Sequence, residues 1–221
     1  MAQSKTILVA LLILAGLIVA SIQLTGQYEA DFVPLLTATP AQRATPTAQA
    51  GCAPTPANGP FGYIPGAPPL TTTLAPLDLP GQRLFIWGTV YAMDCLTPLP
   101  EALIEVWQTG PDGRYDRDKP FTLRGQVRAD AAGRYAFITI RPGHYDVNRS
   151  TQPAHIHFRV SHLEYEPRFT RLLFADDPHL GKLAEVSPEL VVSFGRQERL
   201  DGPPVYHGQF NLVLPVPPPT P

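Results

Sequence analysis

The sequence predicts an all-β protein: an antiparallel β-sandwich, with an N-terminal signal or anchor segment ahead of it and Pro-rich ends. Three observations predict it. Of 221 residues, 27 are Pro and 17 Gly, which breaks helices and central strands too often for a helix bundle or a continuous parallel α/β sheet. Short runs of β-branched and aromatic residues recur between turn signals, with no helical pattern ten residues long. A hydrophobic content of 44% is enough for one core and too high for a disordered chain. The net charge of −2 and pI of about 6.3 offer no electrostatic basis for nucleic-acid binding.

Residues 1–26 come first. Lys5 supplies a positive start, and residues 7–20 form an unbroken apolar run. That is the length of a signal-peptide core and short of the ~20 residues that a spanning helix prefers. Ser21, Ile22, Gln23 and Leu24 extend the run toward a marginal anchor. The segment is therefore a signal peptide or a membrane anchor. Both readings place the rest of the chain outside the cytoplasm, secreted or anchored on the extracytoplasmic side. Residues 27–58 read as a tether, in which Thr39-Pro40, Thr45-Pro46 and Thr55-Pro56 recur with Ala and Gln. Cys52 and Cys95 are the only cysteines. In an oxidising compartment such a pair predicts a disulfide, worth about 3–4 kcal/mol in the chain-entropy model.

Residues 59–214 form the predicted domain. Leu84-Phe-Ile-Trp-Gly-Thr-Val90 reads as its first strand, and Leu103-Ile-Glu-Val-Trp107 follows. Gln126 to Asp130 turns through Ala132-Gly133 into Tyr135-Ala-Phe-Ile-Thr-Ile140. After Pro142-Gly143 come His155-Ile-His-Phe-Arg-Val160, the run from Phe169 to Phe174, and Phe210-Asn-Leu-Val-Leu214. Residues 215–221 are a Pro-rich tail.

The chemistry gathers at Pro153-Ala-His155-Ile-His157-Phe158. Two imidazoles at i and i+2 on a strand point to one face. A cupin uses such a pair but wants a Glu four or five residues later, where this chain has Ser161 and His162. A zinc site would want a third His, a carboxylate or a Cys. His162 and His179 fit no such spacing and read as exposed loop residues. Tyr115 and Tyr145 each read, taken alone, as sandwich tyrosines with hydrogen-bonded hydroxyls. Tyr135, which opens an alternating strand, is expected to be just that.

Taken together, the order Tyr115, Tyr145, His155, His157 resembles the intradiol ring-cleavage dioxygenases. The likeness extends to Gly59-Pro-Phe-Gly-Tyr63-Ile-Pro-Gly66, Leu99-Pro-Glu-Ala-Leu-Ile-Glu-Val-Trp107, Phe121-Thr-Leu-Arg-Gly125 and the run from Gly133 to Gly143. It covers roughly residues 58–180. The chain looks most like exported single-domain members with a protocatechuate 3,4-dioxygenase-like core, because it lacks the helical N-terminal region of the catechol and hydroxyquinol enzymes.

The resemblance implies a non-haem Fe(III) held by Tyr115, Tyr145, His155 and His157, with Tyr145 displaced when substrate binds. It implies cleavage of a catechol-type ring by O2 to a muconate-type diacid. Ferric iron is hard, and phenolate oxygen is a hard ligand that a tyrosine of pKa about 10 does not offer at neutral pH without a metal. Two positions depart from the family pattern. The family places Arg three residues before the first histidine, where this chain has Gln152. It places Gln on a later strand, where this chain has Arg171. The exchange suggests that the guanidinium has crossed the pocket, with Arg171 and Gln152 sharing the catalytic role; separate drift is the other reading.

Three functional classes stay open at this level: an exported Fe(III) catechol dioxygenase, a non-catalytic transthyretin-like β-sandwich binding module, and a surface protein on a Thr-Pro stalk. The last two account for the architecture or the ends of the chain but not for the four donors.

Overall fold

The structure, a computed structural model, describes residues 52–70, 72–115, 122–147 and 150–216. The signal or anchor segment, the tether as far as residue 51 and the last five residues of the tail lie outside the described residues.

The regular structure of the described chain is almost entirely strand: β1 (Arg83–Tyr91), β2 (Leu103–Gln108), β3 (Arg124–Arg128), β4 (Arg134–Ile140), β5 (Tyr145–Val147), β6 (Ser150–Gln152), β7 (His155–His162), β8 (Tyr165–Phe174), β9 (Val191–Val192), β10 (Gly195–Gln197), β11 (Val205–Gln209) and β12 (Leu212–Val213). The helical content among these residues is two three-residue 3-10 turns, Leu180–Lys182 and Pro188–Leu190. One five-stranded sheet runs β10-β11-β1-β12, with β4 on the other edge of β1. The second runs β3-β2-β7-β8-β9. β5 and β6 pair with each other as a separate hairpin.

Most pairings are antiparallel, but β1 runs parallel to β11 and β12, and β8 parallel to β9. Of the strand expected from Phe210 to Leu214 only β12 forms, and β11, which ends just before it, was not anticipated. Both keep one register along β1, and the ladder breaks between them because Asn211 Oδ1 takes the Thr89 N–H at 3.0 Å. β3 begins at Arg124, two residues before the expected start.

Period-two alternation builds the core. Leu84, Ile86 and Val90 of β1, Tyr135 and Phe137 of β4, and Ile156, Phe158 and Val160 of β7 belong to one buried cluster between the sheets. The Phe158 ring lies 5.1 Å from Phe210 and 6.0 Å from Phe137, centroid to centroid. Tyr135 is structural, as expected: it is 2% exposed and its hydroxyl donates to Phe210 O at 2.5 Å. Phe210 also passes so close to β1 that a Cβ on Gly88 would sit 1.9 Å from its carbonyl oxygen, so only glycine fits there.

The N-terminal segment closes both open sides of the sandwich. Thr55 N donates to Val213 O and Asn58 N to Phe169 O, tying β12 to β8. Further on, Leu70 N donates to Gln126 O and Leu74 N to Ile138 O, tying β3 to β4. Cys52 and Cys95 are disulfide-bonded with Cα atoms 5.8 Å apart, so the end of the Pro-rich stretch is fastened to the domain.

Candidate metal centre

The side chains of β7 that alternate with the core residues face away from it. His155, His157 and Arg159 therefore stand on the outer face of the second sheet, and the register fixes what flanks them. Across four strands the order is Arg124 on β3, Trp107 on β2, His157 on β7 and Arg171 on β8. The next row on that face is Gln126, Glu105, Arg159 and Phe169.

The second row anchors the cover. Arg159 pairs with the buried Glu105, and Tyr63 donates its hydroxyl to Glu105 Oε1 at 2.9 Å. Trp107 Nε1 donates to Phe61 O at 2.9 Å, and an Arg124 nitrogen to Gly62 O at 2.6 Å. Three successive residues of the segment are thus held down over the first row, which makes an outer sheet face a buried site.

His155 and His157 are 8% and 3% exposed. His157 lies flat on Trp107, with centroids 4.9 Å apart and planes 9° apart. His155 Nδ1 is 2.7 Å from the Pro153 carbonyl, which can only accept, so Nδ1 carries the proton and Nε2 offers its lone pair. The two Nε2 atoms are 3.0 Å apart, and His157 Nδ1 is buried with no hydrogen-bond partner. Burial pushes both imidazoles below the usual histidine range. For His157 the neighbouring His155, Arg171 and Arg124 add to it, and its pKa falls to about 2. Both rings are neutral near pH 7, the form that ligates a metal.

The tyrosines arrive on two loops that touch. Tyr115 follows the turn after β2, and Tyr145 opens β5. Gly113 (φ +73°) makes the contact possible: a Cβ there would lie 1.8 Å from the His144 carbonyl oxygen. Gly143 N donates to Gly110 O at 2.9 Å across the same junction. The Tyr115 and Tyr145 rings meet edge to face at 5.5 Å. Burial, opposed by the Arg124 guanidinium that lies 5.4 Å from the ring, pushes the Tyr115 phenol up to about 12.

Arg124 and Trp107 link the two pairs of donors. Arg124 acts electrostatically on both Tyr115 and His157. A Cβ on Gly62 would be 3.6 Å from Trp107 Nε1 and 3.8 Å from Tyr115 Cζ.

Arg171 sits beside His157 on β8, its Nε buried without a hydrogen-bond partner. Gln152 lies opposite Tyr145 in the β5–β6 hairpin. His179 is not the exposed loop residue expected: it is half-buried, edge-on to His144 at 4.3 Å. It is half-buried because the turn after β8 folds back onto the loop that precedes Tyr145, where Asp177 meets His144. Nor is His162 an exposed loop residue: it is half-buried and ends β7 against the Tyr165 ring. The sequence reading missed Trp107, Glu105, Tyr63 and Arg124. The usable sign was Trp107, a large aromatic two residues from Glu105 and hence on the same face of β2, which an open polar face would not carry.

The histidine pair has a geometry that fits a shared metal ion. Two imidazole nitrogens binding one ion at ~2.1 Å in adjacent positions come about as close together as these two Nε2 atoms are. Among the described residues no three His, Cys, Asp or Glu side chains gather as a metal cluster. Tyr115 adjoins the histidine row through Arg124, and a phenol pushed to about 12 becomes phenolate only beside a strong cation.

The family model described as Dioxygenase matches residues 63–215. The chain belongs to the intradiol ring-cleavage dioxygenase family. It is 33% identical over 182 residues to chlorocatechol 1,2-dioxygenase of Rhodococcus opacus, covering 71% of this chain and 70% of that protein. To catechol 1,2-dioxygenase 2 of Acinetobacter lwoffii it is 36% identical over 139 residues, 53% of this chain and half of that protein. Among solved structures, 3-chlorocatechol 1,2-dioxygenase of Rhodococcus opacus 1CP superposes with a TM-score of 0.67 at 27% identity, covering 76% of this chain and 75% of that one. The dioxygenase domain of a carbohydrate-binding fusion from Streptomyces sp. SirexAA-E superposes with a TM-score of 0.63 at 30% identity, over 75% of this chain and all of that domain.

Proposed function

We propose that this dioxygenase-family chain cleaves a catechol-type ring between its two hydroxyl-bearing carbons. Both atoms of O2 enter the product, a muconate-type diacid. The observation that carries the reading is the pair of neutral, buried Nε2 atoms 3.0 Å apart, with Tyr115 and Tyr145 in contact nearby. His155, His157, Tyr115 and Tyr145 would hold a non-haem Fe(III), which when bound makes a chelated catecholate reactive toward O2.

The protein's own groups do the rest. With the metal bound, Tyr145 would be the phenol that accepts a proton from the incoming catechol, as the resemblance implies; it stands on the separate β5–β6 hairpin. His155 keeps its ligating lone pair outward because Pro153 O holds the other ring proton. Trp107 fixes the plane of His157. Tyr63, Phe61 and Gly62, tied to Glu105, Trp107 and Arg124, shut water out of the row. A transthyretin-like binding module would share the sandwich but has no use for these four donors.

The test is colour and metal content. One iron per chain is expected, ferric as isolated, with a tyrosinate-to-iron charge-transfer band that makes the pure protein wine-red. Stoichiometric zinc and a colourless protein would reject the reading.

We also propose that the domain works outside the cytoplasm. The apolar run of residues 7–20 and the Cys52–Cys95 pair support this. Protein taken from its native compartment and unfolded without reductant should expose no thiol; two free thiols would contradict the assignment.

A further inference from the structure

The turn after β8, Asp176-Asp177-Pro178, holds two acids in opposite situations. Asp176 is a surface residue, its side chain 73% exposed and paired with Arg141. The Asp177 side chain is 0% exposed. Its Oδ1 accepts the His179 backbone N–H at 2.8 Å. Its Oδ2 accepts the Ala154 N–H at 2.9 Å and lies 3.1 Å from His144 Nε2, which must carry the proton because a carboxylate only accepts. A buried carboxylate is tolerated where donors surround it in this way.

The partners of Oδ2 are ten residues apart in the chain, and their positions matter more than their number. His144 immediately precedes Tyr145 at the start of β5. Ala154 follows β6 and immediately precedes His155. They are the two legs of the hairpin that carries Tyr145 opposite Gln152. Among the described residues β5 and β6 pair with no other strand, and a two-stranded hairpin is marginal in water by itself. The leg before Tyr145 also packs on the Gly110–Gly113 turn, but that contact sets Tyr145 against Tyr115. Among the described residues, one oxygen of Asp177 ties the same leg to the start of β7.

We propose that Asp177 is a positioning residue, a clip at the root of this hairpin that sets Tyr145 and Gln152 against His155. The proposal rests on reading Tyr145 and His155 as ligands of one metal. It adds a residue that touches neither metal nor substrate and acts through the main chain and His144.

The experiment uses the full chain loaded with iron. It compares Asp177→Ala with the parent, Tyr145→Phe and Asp176→Ala, reading iron content, absorbance per bound iron, melting temperature and catechol turnover. Asp177→Ala is expected to keep iron through the other three ligands. Its charge-transfer band should weaken and shift toward that of Tyr145→Phe, and its turnover should fall about 10- to 100-fold, as for loss of an outer partner of a metal ligand. Asp176→Ala should keep the parent spectrum, since exposed ion pairs contribute little. A merely structural role would lower melting temperature and iron occupancy and leave the spectrum of each remaining iron unchanged; that result overturns the proposal. If Asp177→Ala does not fold, His144→Leu decides in its place. It removes one leg through a side chain that is 39% exposed, and the same spectral shift in part is expected, while an unshifted band overturns the clip. A parent with no charge-transfer band refutes the metal centre itself and the clip with it, whereas a parent band left unchanged by the variants refutes the clip alone.

Discussion

Replacing His157 by Ala is expected to empty the metal centre while leaving the sandwich folded. His157 occupies the middle of the outer-face row, stacked on Trp107 and beside Arg171. It supplies one of the two nitrogens that converge at 3.0 Å. Losing an outer partner of a metal ligand typically costs about 10–100-fold in affinity, so losing a ligand should exceed that. Iron should fall from one per chain to a small fraction, the visible band should vanish, and ring cleavage should go with it. The fold should survive because the core lies on the other face of β7, where Ile156, Phe158 and Val160 are untouched. The hole left on the outer face costs about 1–3 kcal/mol, an ordinary substitution penalty. Elemental analysis and a thermal melt on the same sample separate the two effects. A variant that folds and keeps full iron would remove His157 from the ligand set.

Arg171→Gln is expected to lower catechol turnover by about 10²–10³-fold without loss of iron. The motive is charge. A ring under attack builds negative charge, and a fixed cation in a water-poor site stabilises it; removing one such preorganised donor typically costs about this factor. Two cations, Arg124 and Arg171, stand in the first row with His157. Arg124 already spends a donor on Gly62 O and lies over Tyr115. Arg171 pairs in register with His157, is felt by both imidazoles, and keeps a buried Nε without a partner. It is therefore the cation with hydrogen-bonding capacity to direct at a substrate. Gln152, opposite Tyr145, occupies the position where the family pattern has its Arg. The double change of Gln152→Arg with Arg171→Gln should recover part of the lost rate. An Arg171→Gln enzyme working at the parent rate would show that the exchange is drift and that this Arg has no catalytic role.

The relation between sequence and structure differs from one part of the molecule to another. β1, β2, β4, β7 and β8 were legible because alternation and turn residues are local properties of a half-buried strand. The hairpin of β5 and β6, and β9 and β10, were not. They are two or three residues long, too short to show a period, and tertiary contacts rather than propensity hold them. The parallel pairing of β1 with β11 was equally invisible, since it joins residues more than a hundred positions apart.

The site divides along the same line. By itself the sequence determined the all-β class and the shared face of His155 and His157, because strand periodicity is written in consecutive residues. It also supplied, through resemblance, the candidate set of Tyr115, Tyr145, His155 and His157. Only the tertiary structure decided that this face is the outer one and that residues 61–63 cover it. It alone aligned Arg124, Trp107, His157 and Arg171, and it alone brought Asp177 under both legs of the Tyr145 hairpin. Each of these depends on the register between strands distant in the chain. Register is settled by which faces can be buried together when the sheets pack, and no local run of residues encodes it.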